Sequence, residues 1–109
     1  MKIIDIPADI QIRLKTQTGE DKLEPRKFVV WAEEIVDFYG EVKTLKQVRQ
    51  VQKITDALKS ANGTMQLEDA DYDLFKAAVE AYPTKLPAFI TKQHLPFIDA
   101  LERAQEVKK

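Results

Sequence analysis

The sequence predicts an α+β fold: a short N-terminal antiparallel β-hairpin packed on a bundle of about four α-helices. Three observations carry this. Residues 2–15 alternate apolar and polar around one proline, Pro25–Gly40 crowds apolar residues onto nearly every turn, and apolar residues recur every three or four positions in the two stretches that follow. A chain of 109 residues is the length of one domain, with 1–24 as the hairpin region and 25–109 as the helical bundle.

In the first segment Ile4 and Ile6 share a face, and in the second Ile10, Ile12 and Leu14 do, the period-2 pattern of half-buried strands. Pro7-Ala8-Asp9 marks a bend between them. Thr16–Asp21 is a second turn, and Lys22-Leu23-Glu24 is either a short returning strand or the lead into the next helix. Strands this few are marginal alone, so they must lie on the helices.

The stretch PRKFVVWAEEIVDFYG organises the rest. On a helical wheel Phe28, Val29, Trp31, Ala32, Ile35, Val36, Phe38 and Tyr39 fall within roughly 180°, which requires cover on more than one side. Pro25 suits a first helical position and Gly40 a left-handed closing residue, so the helix is expected from about Pro25 to Tyr39. Val30 is stranded on the polar arc.

A second helix is expected from a Thr44 N-cap to Asn62, closed by Gly63, with Leu45, Val48, Val51, Ile54, Leu58 and Ala61 as its apolar stripe. With a short link between them, the two helices should form a hairpin. Thr64–Leu67 reads as an extended link that can pair with the N-terminal strands. A third, well-buried helix spans about Asp69–Tyr82 and stops at Pro83. Residues 83–96 carry three prolines and read as an irregular crossing segment; a last helix starts near Leu95-Pro96 and presents Phe97, Ile98, Leu101, Ala104 and Val107.

Composition excludes several kinds of chemistry. A 44% hydrophobic, 32% charged chain belongs with globular proteins, and a net charge of −1 gives no overall attraction to nucleic acid or membrane. No cysteine means no disulfide or thiol chemistry. No apolar run has the length of a membrane span or a secretory leader, so no membrane partner and a cytoplasmic location are expected.

Candidate sites are few. Asp69, Asp71 and Asp73 match the first positions of a calcium loop, but Leu74 stands where its glycine must be, and carboxylates in a first helical turn already complement the dipole. His94, the one histidine, and Ser60, the one serine, lack the partners of a zinc set or a nucleophile, and the three glycines make no phosphate loop. No catalytic, metal or cofactor residue is assigned, and the chain reads as a non-enzyme. Lys46, Arg49 and Lys53 form a basic stripe within roughly 60° on the second helix. A solvated face is the default for such a stripe; an acidic protein partner or phosphates would also suit it.

In layout, the strand pair IDIPADIQIRLK, the dense helix above, LEDADYDLFKAAVEAY and the closing FIDALERAQEV resemble the small accessory morphogenesis proteins of tailed phages and prophages. The resemblance implies a tail-assembly chaperone-like factor that masks a structural protein's apolar surface. Two surfaces suit a protein partner: the free edge of the N-terminal sheet, with Ile3, Ile10, Ile12 and Leu14 as anchors, and the stripe of Lys46, Arg49 and Lys53. The alternative is a small DNA-binding regulator using that stripe; self-association stays open.

Overall fold

A computed structural model describes residues 1–15, 19, 21–81 and 92–106. Among these the order is β1 (Lys2–Asp5), β2 (Ile10–Lys15), β3 (Asp21–Arg26), α1 (Phe28–Asp37), α2 (Leu45–Lys59), β4 (Thr64–Leu67), α3 (Asp69–Ala81), α4 (Leu95–Glu102) and β5 (Gln105–Glu106). The fold is α+β, as the sequence predicts. Residues 83–91 of the expected crossing segment, Tyr82 and Val107 lie outside the described residues.

The N-terminal hairpin is made by β2 and β3, in register from Ile10↔Arg26 to Lys15↔Asp21. β1 does not pair with β2. It is the middle strand of a separate antiparallel sheet, ordered β4-β1-β5, with Ile4 opposite Met65 and Ile3 between Gln66 and Gln105. The expected link Thr64–Leu67 therefore does pair with the N-terminal strand. What the sequence reads as the tail of the last helix is β5 instead. Extending the chain there brings Glu106 to Lys2 and, at 3.5 Å, to the Met1 ammonium, contacts that a continued helix would have spent on water.

α1 begins three residues later than Pro25 suggests, because β3 runs through Pro25 to Arg26. Gly40 does not close α1 either: only Gly19 and Gly63 have positive φ among the described residues. The helix ends at Asp37, and the Phe38 N–H still bonds to the Glu34 carbonyl at 3.1 Å. Residues 38–44 link it to α2, a longer connection than expected.

The core lies where β1 and β4 meet the helices. Ile4, Met65 and Leu67 come from the sheet, Phe28, Trp31, Ile35 and Val36 from α1, Ile54 and Leu58 from α2, Phe75 and Val79 from α3, Phe97 and Leu101 from α4. Phe28 sets the aromatic centre, 5.7 Å from Trp31, 6.4 Å from Phe75 and edge-on to Phe97 at 5.6 Å. The His94 ring stacks on Trp31, 5.9 Å away and tilted by 13°, so the histidine is a buried packing residue. Tyr72 keeps its hydroxyl satisfied inside the core by donating to the Leu101 carbonyl at 2.9 Å.

Candidate functional site

The surface most unlike an ordinary solvated face lies at the start of α2. Thr44 and Gln47 form a reciprocal capping box: the Gln47 N–H donates to Thr44 Oγ1 at 3.1 Å, while Gln47 Oε1 accepts from the N–H groups of Thr44 at 3.1 Å and Lys43 at 2.8 Å. The first turn is thereby fixed without any core contact.

From this anchored start, one apolar stripe runs down α2 through two environments. Ile54 and Leu58 are sealed in the core, whereas Leu45 is 68% and Val48 51% exposed. Phe38, in the preceding link, is 80% exposed. Val48 itself, with Val36, Val42 and Val51, lines an open groove of about 280 Å³ whose remaining lining is Asp37, Gln52 and Thr55. Thr55 donates its hydroxyl to the Gln52 carbonyl at 3.1 Å, while Asp37 and Gln52 give the groove a polar rim. The sequence assigns Leu45, Val48 and Phe38 to the interior; periodicity reports which face is apolar, and it is silent on how far along the helix the cover extends.

The basic stripe borders a second, larger groove of about 500 Å³. Lys46, Arg49 and Lys53, with Leu45 and Gln50, form one wall, and Glu68, Ala70 and Asp71 at the start of α3 form the other. None of the three cations makes an ion pair among the described residues. Asp56, which shares their face, accepts instead from Gln52 Nε2 at 2.7 Å. Across the groove Asp71 is only 3% exposed, and its carboxylate makes no hydrogen bond or ion pair among the described residues. The sequence picks out the cations but not this acidic wall, because only the fold brings residues 68–71 against α2.

The rest of the acidic run behaves as a helix start. Asp69 opens α3 and pairs with the Met1 ammonium at 2.9 Å, a contact that holds its carboxyl below the ordinary carboxylate range. Among the described residues no group of three histidine or carboxylate side chains is placed to hold a metal ion. A further hollow of about 390 Å³ between Asp5–Pro7 and α4 carries Asp5, Asp99 and Arg103, without a buried polar group to orient a ligand.

The sheet anchors fare differently from the stripe. Ile3 sits on β1, whose two edges are occupied by β4 and β5. Ile12 is fully buried, and Ile10 packs against the core, half-buried like Leu14. On β2, the side chain of Gln93 already engages the backbone of Arg13. β3 likewise has no described strand on its outer edge, and there Leu23 is 61% exposed.

The fold and this surface define a small α+β domain whose chemistry-bearing groups are charged and apolar side chains at the α2–α3 junction. No protein-family model matches the chain, and neither a curated protein nor a solved structure shows significant similarity to it. No helix among the described residues is long and apolar enough to cross a membrane.

Proposed function

We propose that the chain is a non-catalytic interaction module that seats an apolar-faced segment of a protein partner at the start of α2. The observation that carries the reading is the exposure of Leu45 and Val48 on a helix start held by its own capping, with Phe38 exposed in the preceding link and Val48 lining a groove with Val36, Val42 and Val51. Exposed apolar groups gathered in one place mark interaction surfaces, whereas scattered ones are ordinary. Covering each such side chain is worth about 1.5–3 kcal/mol, while association costs ~4–15 kcal/mol in lost freedom. Three anchors alone therefore support only a weak complex, and polar contacts at the rim must add to them. The layout resemblance to phage morphogenesis proteins directs the choice of client to a virion structural protein.

Nucleic acid is the second reading, favoured by the three unpaired cations. Glu68 and Asp71 oppose it, since phosphates entering the same groove would meet two carboxylates and a nucleic-acid strand, unlike a peptide, carries no cation to offset them.

The test is affinity capture from a source-cell lysate with prophages induced, with and without nuclease, using the native chain and a variant carrying Phe38→Ser, Leu45→Ser and Val48→Ser. The expected result is one dominant protein that survives nuclease and is lost with the variant. Equal capture by both chains would overturn the reading. Recovery of nucleic acid, with binding that falls steeply between about 50 and 200 mM salt, would move the site to Lys46, Arg49 and Lys53.

A further inference from the structure

The groove between α2 and the start of α3 presents charges of opposite sign on its two walls. Lys46, Arg49 and Lys53 lie at positions i, i+3 and i+7 of one helix and span about 10 Å along it. Like charges at these spacings repel, and no carboxylate of the described residues pairs with any of the three. Facing them, Asp71 is 3% exposed and lacks any hydrogen-bond or ion-pair partner among the described residues. Its carboxylate is not sealed: what stays exposed lies at the groove, where a donor or a cation can reach it. The chain's own cations line the same groove without making that pair. Both charged walls face one space of about 500 Å³, and Leu45 joins it to the exposed Val48 at the start of α2.

From this we infer that the groove recognises an acidic amphipathic peptide segment of a protein partner, carrying carboxylates spaced to meet Lys46, Arg49 and Lys53 and one lysine or arginine that reaches Asp71. The inference rests on the reading of this region as a protein-docking surface and specifies the docked segment. A helical segment with Asp or Glu at i, i+3 or i+4, and i+7 matches the rise of the cations. Its apolar residues fall over Leu45 and Val48, and its single basic side chain crosses to the α3 wall. A nucleic-acid strand supplies the anions but no cation for Asp71, and no aromatic side chain lines the groove to stack a base.

The experiment pans a random-peptide display library against the full chain at physiological salt, then measures the enriched peptides by fluorescence anisotropy. Expected are peptides with the acidic i, i+3/i+4, i+7 pattern, apolar neighbours and one basic residue. Their affinity should fall about tenfold or more with the surface double variant Arg49→Glu and Lys53→Glu. Replacing the peptide's basic residue by norleucine should weaken binding to the native chain and leave binding to Asp71→Asn unchanged. The peptide-side change keeps the test valid if Asp71→Asn does not fold. Enriched peptides without the acidic pattern, whose binding survives charge reversal but is lost with Leu45→Ser and Val48→Ser, would overturn the inference and keep the docking surface. If no peptide is enriched while a labelled DNA duplex binds and is released by the charge reversal, both are overturned.

Discussion

The side chain of Gln93 takes the place of a neighbouring strand for Arg13: Oε1 accepts from the Arg13 N–H, and Nε2 donates to the Arg13 carbonyl at 3.0 Å. Because both backbone groups of Arg13 point away from β3, the alternation of an antiparallel pair sends those of Ile12 and Leu14 toward it, opposite Glu24 and Lys22. The same alternation turns Leu23 and Pro25 of β3 outward. Pro25, without an N–H, thus sits where no ladder bond is lost, and it shortens the edge that another chain could join. Replacing Gln93 by Ala should speed hydrogen exchange at the Arg13 amide and cost about 0.5–1.5 kcal/mol per hydrogen bond lost. Exchange at Arg13 as slow as in the native chain would show that the amide has another acceptor.

Three substitutions on one helix separate its interior from its exposed start. Ile54→Ala should destabilise the fold by about 2–5 kcal/mol, since it empties a sealed site. Leu45→Ser and Val48→Ser should each change stability by roughly 0.5 kcal/mol or less, because neither side chain is covered. Urea denaturation of the three variants checks the contrast. A large loss from Leu45→Ser would mean that the start of α2 belongs to the core.

That contrast also measures what the residue pattern holds. Local signals were legible: the Thr44 cap, the helical period through Ile54 and Leu58, and the strand alternation of Ile4 and of Ile10–Leu14 each correspond to an element. Pairing was legible only in part. β1 could be read as half of a hairpin because alternation names a buried face and leaves the partner unstated, and the β5 contact joins residues a hundred positions apart. The candidate site divided the same way: its cations lie on one helix and show in the sequence, whereas the facing Asp71 and the exposure of Phe38 and Leu45 exist only once the helices have packed.

Glycine substitutions should distinguish the α1–α2 link from the α2–β4 junction. Gly63 has φ +77°, and a Cβ there would meet nothing within 4 Å, so the penalty of Gly63→Ala is purely that of the left-handed backbone, about 1–2 kcal/mol. Gly40 has no such φ, and Gly40→Ala should be neutral or slightly stabilising through the unfolded chain. Thermal denaturation of both variants tests this; equal losses would place a left-handed residue at both positions.

The contacts that hold the two ends of the three-stranded sheet set a pH window. Asp69 bonds to the Met1 ammonium, which holds its carboxyl below the ordinary 3.8. Such a group stabilises the fold above 3.8, and the contribution is lost as pH falls through its lower folded value. The Met1 ammonium is raised above 8.0 chiefly by its bond to Asp69, and Lys2 above 10.5 chiefly by its bond to Glu106. For these cations the sign reverses: the contribution is complete below 8.0 and 10.5 respectively and disappears as pH rises through each folded value. The network should therefore act fully between about pH 4 and 8 and weaken on both sides. All of these groups face water, so the effect is small and salt should shrink it. The melting temperature of Asp69→Asn should lie below that of the native chain at neutral pH and low salt, with the gap closing as pH falls below 3.8 and again in high salt. A gap that stayed constant down to acid would assign the loss to an uncharged contact of the Asp69 side chain at the start of α3 rather than to the ion pair.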